Sequence, residues 1–214
     1  MSKKTSFIKP SNMGQITTRL NYLNQAKKLI KPGDVYQFGV FSGVSIKNIL
    51  QKYTEFNINT SVWGFDSFEG LPKETKEKVG YPEWEQGEFS SCDYLDVESP
   101  HEAANLIKEF IQKDYSNPIE MIVGFYEDSL KTAYHSDMKP ASWLDIDVDL
   151  YSSTIEAMEF MISNNLIVPG TLLYYDDYKG TNLGEGRAHK EISQKYGLKT
   201  EKLLGDGEVL FVVL

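Results

Sequence analysis

Two short apolar runs, each closed by aspartates, constrain this chain more than any other feature. Residues 143–178 contain WLDIDVDLYSST, a helix-length interval, and then PGTLLYYDDY. Ser142, Trp143, Leu144 and Ile146 read as one buried strand, and residues 171–175 read as a second, opened by the Pro169-Gly170 turn. Because side chains alternate faces along a strand, Asp145, Asp147 and Asp149 share a face if the strand runs through them. Three unpaired carboxylates on a sheet covered on both sides are very costly. The strand is therefore expected to end near Asp147, and its neighbour to stop at Asp176 and Asp177. Ligands of open parallel sheets bind beyond the carboxyl ends of the strands, so both acidic sets are placed at that crevice. Close carboxylates repel, and one keeps its proton unless a cation neutralises the group. An all-oxygen set suits a hard divalent ion such as Mg²⁺. The competing reading has these acids capping helices or facing solvent, since Asp149 stands just before a helical pattern that opens at Tyr151.

The rest of the chain fits one α/β unit. Its 214 residues, 41% hydrophobic, suffice for one sizeable core and a single domain over 1–214. A net charge of −9 leaves no electrostatic footprint for nucleic acid or an anionic membrane. Cys92 is the only cysteine, which excludes an internal disulfide. No stretch approaches membrane-spanning length and the first residues lack the apolar core of a signal peptide, so a cytoplasmic protein without membrane insertion is expected.

In chain order, residues 15–30 have the spacing of an amphipathic helix, stopped by Pro32-Gly33, that packs beside the sheet or lids the crevice. Residues 34–39 read as the first strand and 45–53 as the helix after it. The turn between them, Gly39-Val40-Phe41-Ser42-Gly43-Val44-Ser45, carries glycines where a ligand or backbone approaches closely, without being a dinucleotide fingerprint. A second strand, 61–65, ends at Asp66, which lies 66 − 43 = 23 residues past Gly43 and so suits a ribose-binding acid or, alternatively, an N-cap. Residues 67–100 form a long polar connection with five aromatics. It is read as a flap over the acceptor site or as a loop over a satellite core. A helix near 102–114, a strand at 119–124 and a segment 125–130, expected at that strand's end to border the base of a bound adenosyl compound, come next. A helix near 153–164, a glycine-rich loop over 179–186, a helix near 187–196 and a terminal hairpin complete the pattern. Strands alternating with helices indicate an α/β three-layer sandwich, the hairpin adding antiparallel strands at one edge. Of the three histidines, only His189 is placed to border the site.

The segments FGVFSGVS, FDSFEGLP, LDIDVDLYSST, PGTLLYYDDY and GRAHKEI, in this order over about residues 15–214, resemble the macrocin O-methyltransferase (TylF) family. The resemblance implies a Rossmann-like class I methyltransferase fold with a mostly parallel sheet. It also implies an S-adenosylmethionine- and Mg²⁺-dependent enzyme that methylates a sugar hydroxyl of a glycan, nucleotide sugar or glycosylated natural product, commonly as a homo-oligomer. By the same resemblance Asp147 is the catalytic base and a metal ligand, with Asp176 and Asp177 completing the metal set. Gly39, Gly43 and Ser45 fall on the turn that holds the methionine part of the cofactor, and Asp66 with Ser67 on the ribose side. Two positions depart from the family pattern. Gln37 stands where an acid near the cofactor's amino group is usual, and Asp145 where an arginine is common. A glutamine still accepts a hydrogen bond from an ammonium but without charge assistance. A metal-dependent hydrolase and a non-catalytic adenosyl-compound-binding module are the alternatives.

Overall fold

Alternation along the strands sorts the core into two halves, one on each face of a single sheet. The structure, a computed structural model, describes residues 13–74 and 84–214, with side chains from residue 17 onward. The central part of the expected flap, residues 75–83, lies outside them. The strands are β1 Asp34–Phe38, β2 Val62–Asp66, β3 Ile119–Val123, β4 Ala141–Ile146, β5 Leu172–Tyr175, β6 Thr200–Leu204 and β7 Val209–Val213. The helices are α1 Met13–Ala26, α2 Val44–Glu55, α3 Ser91–Leu95, α4 Pro100–Gln112, α5 Tyr126–Ser129, α6 Tyr151–Ser163 and α7 Gly184–Tyr196. The sheet order is β3-β2-β1-β4-β5-β7-β6. The first five strands are parallel, and β7 runs antiparallel to both β5 and β6.

Val35, Trp143, Leu172, Tyr174 and Leu210 pack with α1, α2 and α4 on one face. Tyr36, Phe38, Leu144, Ile146, Leu173 and Tyr175 pack with α6 and α7 on the other. Burying each large apolar side chain stabilises the fold by roughly 1.5–3 kcal/mol, so these two layers fix which strand residues point where. By the same alternation Gln37, Asp145 and Tyr174 lie on the α1 face, side by side in register across β1, β4 and β5.

The expected three-layer sandwich and closing hairpin are present. β4 stops at Ile146, just before Asp147, and β5 stops at Tyr175, just before Asp176 and Asp177. Several boundaries differ: α1 ends at Ala26 rather than at residue 30, α6 starts at Tyr151 rather than near residue 153, and α7 starts at Gly184, three residues before the expected Arg187. Two glycines early in a helix argue against it by propensity. Here Gly186 is required by close approach, because a Cβ would lie 1.9 Å from the carbonyl oxygen of Gly180. No helix among the described residues is long and apolar enough to cross a membrane.

Candidate active site

The chain reverses its build direction between β1 and β4, and the crevice opens at their carboxyl ends. A cavity of about 820 Å³ lies there, bounded by the turn after β1, the ends of β4 and β5, and residues 125–128. Gly39 has φ +82° and abuts the β4 end so closely that a Cβ would sit 1.8 Å from the carbonyl oxygen of Asp147. Only glycine lets the turn and the acid strand meet in this way.

Asp66 holds that turn. Its Oδ2 accepts from the backbone N–H of Val40 (2.7 Å) and Phe41 (2.9 Å), and its Oδ1 from that of Phe68 (2.7 Å). Burial pushes its pKa up and these backbone donors pull it back. Tyr126 braces the same turn, accepting from Gly39 N–H and donating to the Phe65 carbonyl, each at 3.0 Å. The roof consists of two strips, residues 70–73 and 84–89, joined by Leu71 N–H to the Glu88 carbonyl and Gly87 N–H to the Leu71 carbonyl. Trp84 and Phe89 line it with rings 5.0 Å apart, whereas Phe68 is fully buried in the core. Trp84 and Phe89 thus belong to the roof and Phe68 to the core.

The other end of the cavity is acidic, and a residue of α1 sits in its centre. Arg19, 2% exposed, donates from Nε to Asp145 Oδ2 (2.8 Å) and from Nη2 to Asp145 Oδ1 (3.1 Å), Asp147 Oδ2 (3.1 Å) and Asp176 Oδ1 (3.2 Å). Its guanidinium lies 4.6 Å from the centre of the Tyr174 ring. Burial works to lower the Arg19 pKa, but Asp145, Tyr174, Asp176 and Asp147 outweigh it and keep it charged. Tyr174 donates to Asp176 Oδ1 and to Glu208. Asp147 is pushed well above the ordinary carboxylate range, by burial first and then by Asp176, although its side chain is 30% exposed, which weakens both effects. Asp149, in the left-handed region at φ 60°, is pushed up by burial and by its hydrogen bond with Asp177. Glu185 is fully buried and receives the backbone N–H groups of Val148 (3.3 Å) and Asp177 (3.0 Å), so it ties the two acid loops together. Burial, then Asp176, raises its pKa well above the usual range. Among the described residues no group of three or more His, Cys, Asp or Glu side chains is arranged as a metal-ion site.

The profile of the macrocin O-methyltransferase (TylF) family matches residues 11–201. This chain belongs to that family. It is an O-methyltransferase. Among solved structures it is similar to the calicheamicin methyltransferase CalS11, at 17% identity and a TM-score of 0.73, covering 96% of this chain and 80% of that one. It is also similar to the O-methyltransferase NovP, at 21% identity and a TM-score of 0.65, covering 92% and 78%. An O-methyltransferase from Bacillus cereus in complex with SAH (S-adenosylhomocysteine) matches at 14% identity and a TM-score of 0.51, over 99% and 84%. These likenesses show the class I methyltransferase fold. No curated protein matches the chain.

Within this TylF-family cavity the expected residues take unequal places. Gly39, Ser45, Asp66, Ser67, Asp147, Asp176 and Asp177 line it. Ser67 uses its hydroxyl within its own turn, donating to the Gly70 carbonyl and accepting from Glu69 N–H. Gly43 is not among the lining residues. It has φ +74°, and a Cβ there would meet Ile107 Cγ2 at 2.5 Å, so it packs α2 against α4. Gln37 is fully buried beneath the turn, its Nε2 donating to the Gly39 carbonyl while Oε1 has no partner, and it too is absent from the lining. His189 lies behind the site, its ring stacked on Phe211 and held between Tyr175 and Thr200, with burial lowering its pKa to about 4. It is a packing residue. Sequence reasoning missed Arg19 and Glu185. For Arg19 the signal was present: it precedes Leu23 by four positions and Ala26 by seven, on the stripe that α1 buries.

Proposed function

We propose that this chain transfers a methyl group from S-adenosylmethionine to a sugar hydroxyl of a glycan, nucleotide sugar or glycosylated natural product, with Mg²⁺ at the acidic end of the cavity. The observation that carries this reading is the joining, in one cavity, of the glycine turn clamped by Asp66 to the carboxylates Asp147, Asp176 and Asp177. A similar structure described as a TDP-rhamnose 3'-O-methyltransferase, with a TM-score of 0.59, supports a sugar acceptor. The SAH complex of the Bacillus cereus enzyme supports the cofactor.

The donor chemistry fits a hard divalent ion. Six carboxylates, Asp145, Asp147, Asp149, Asp176, Asp177 and Glu185, are gathered there. Among the described residues, the cations bonded to them are Arg19 and Lys179. Burial first, and then the negative charge left in excess among these groups, displaces Asp147, Asp149 and Glu185 toward their protonated forms. Mg²⁺ is usually held by one or two carboxylates with waters and substrate oxygens, and Asp147, Asp176 and Asp177 are the residues to hold it. When bound, the ion lowers the pKa of an acceptor hydroxyl, and the sulfonium supplies the methyl group together with its own leaving group.

The chain's own residues do the rest. Asp147, whose side chain lines the cavity and is 30% exposed, takes the acceptor's proton. Asp66 and Tyr126 keep the turn rigid, so that donor and acceptor meet in line. Trp84 and Phe89 keep water from the reacting atoms. Calorimetric titration with S-adenosylhomocysteine, with and without chelator, tests the reading. Saturable binding that persists in chelator is expected, with Mg²⁺ strengthening the binding of an acceptor bearing adjacent hydroxyls. Failure to bind S-adenosylhomocysteine overturns it in favour of a hydrolase, and metal-independent acceptor binding removes Mg²⁺ from it.

A further inference from the structure

Asp145 is fully buried, lies outside the cavity lining, and accepts from Arg19 and from Trp143 Nε1 (3.1 Å). It touches nothing that reacts. A lone buried carboxylate at this point would be strongly destabilising, and Arg19 cancels it. The guanidinium reaches further than that task requires. The same Nη2 that completes the fork on Asp145 also bonds Asp147 and Asp176, both of which line the cavity. Its central carbon lies over the Tyr174 ring, 4.6 Å from the centroid, and Tyr174 in turn bonds Asp176. A planar fork on an aromatic face can hold three carboxylates at fixed positions, which an ammonium cannot.

The geometry points to Arg19 as a positioning residue that fills the inner cation position among Asp145, Asp147 and Asp176, so that an ion or acceptor engages Asp147 and Asp176 from the cavity side. This rests on the proposed methyl transfer only in assigning the cavity to that reaction. Asp145 is then the anchor of Arg19 and not a metal ligand, which answers which of the carboxylates at the end of β4 faces the chemistry. α1 thereby becomes part of the site: without it, three carboxylates would surround a vacant point within hydrogen-bonding distance of each.

Mn²⁺ binding to the full chain, followed by electron paramagnetic resonance, tests this without needing the acceptor. Arg19→Met is expected to bind Mn²⁺ at least about tenfold more tightly than wild type, because removing a unit charge from the middle of three carboxylates opens a stronger site. Arg19→Asp combined with Asp145→Arg, which returns a guanidinium from β4, is expected to bring Mn²⁺ affinity back to within about threefold of wild type. Affinity for S-adenosylhomocysteine is expected to stay within about twofold in both, since the glycine turn is untouched. Mn²⁺ binding in Arg19→Met that equals or falls below wild type, with S-adenosylhomocysteine binding intact, overturns the assignment. So does a charge-swapped variant that keeps the tight Mn²⁺ binding. If Arg19→Met fails to fold, Arg19→Lys replaces it, with Mn²⁺ affinity at least about threefold above wild type expected and no increase overturning the claim. A wild-type chain that ignores S-adenosylhomocysteine would sink the proposed reaction, while the Mn²⁺ comparison would still decide the role of Arg19.

Discussion

The two ends of the cavity bury carboxylates by opposite means. Asp66 is met by backbone N–H groups of Val40, Phe41 and Phe68, donors that carry no net charge and cannot titrate. Asp145, Asp147 and Asp176 are met by one guanidinium, and Asp149 and Asp177 share a hydrogen bond beside Lys179. The first arrangement locks a turn into one shape. The second is held together by charges that, among the described residues, do not balance, so it responds to protons, to cations and to whatever enters the cavity. A site for a large, invariant cofactor calls for the first, and a site where a proton must move calls for the second.

The sharpest way to break this contrast is Asp147→Asn, which keeps the shape and removes the proposed base. Methyl transfer is expected to fall at least about a hundredfold while S-adenosylhomocysteine affinity changes less than about twofold. Undiminished turnover on a verified acceptor would falsify the role of Asp147. Asp66→Ala attacks the opposite end by leaving buried N–H groups of the turn without acceptors. A stability loss of about 3 kcal/mol in urea unfolding is expected. Calorimetry should show a drop in S-adenosylhomocysteine affinity of at least about tenfold, and normal affinity would dissociate the turn from the cofactor. Gly43→Ala separates packing from binding: with φ +74° and Ile107 Cγ2 2.5 Å from the added carbon, it should cost about 2 kcal/mol. Cofactor affinity should move much less than in Asp66→Ala. If the two variants lose affinity equally, the whole turn acts as one unit.

The smallest expected effect is on pH dependence. Asp147, Asp149 and Glu185 have folded-state pKa values above the ordinary carboxylate value. In that window the folded protein binds more protons than the unfolded chain, so these groups add stability at pH below about 4, and it is lost as the pH rises through their folded values. His189, lowered to about 4, acts in the opposite direction: its neutral form adds stability above its ordinary value, which is lost as the pH falls through about 4. Taking the difference between metal-free and Mg²⁺-loaded protein cancels His189. Mg²⁺ should stabilise the protein at neutral pH by about 1 kcal/mol more than at mildly acidic pH, read as a shift in thermal midpoint. A shift that does not vary with pH would mean that the ion binds away from these acids.

Much of the architecture was legible because it rests on local patterns. Apolar runs closed by Asp66, by Asp147 and by the Asp176-Asp177 pair marked three strand ends, and the crevice at those ends follows from parallel topology. The glycines of the 39–45 turn were visible, but their separate duties were not: Gly39 makes room for the Asp147 backbone, whereas Gly43 makes room for Ile107 on α4. Ribose-binding character was read into Asp66 from spacing and from the family resemblance, neither of which reveals that three backbone N–H groups already meet its oxygens. Gln37 was expected beside the cofactor, and it is shielded beneath the turn by its own bond to Gly39.

The amino-acid sequence by itself determined the order of strands and helices, the two-faced core and the delivery of acids to the strand ends, because periodicity and turn chemistry act between residues close along the chain. Only the tertiary structure decided how those acids are neutralised. Arg19 meets Asp145 across 126 positions and Asp176 across 157, and Glu185 joins loops that end different strands. The charge state of a buried carboxylate depends on whichever groups folding brings within a few ångströms of it, and no local pattern along the chain encodes that.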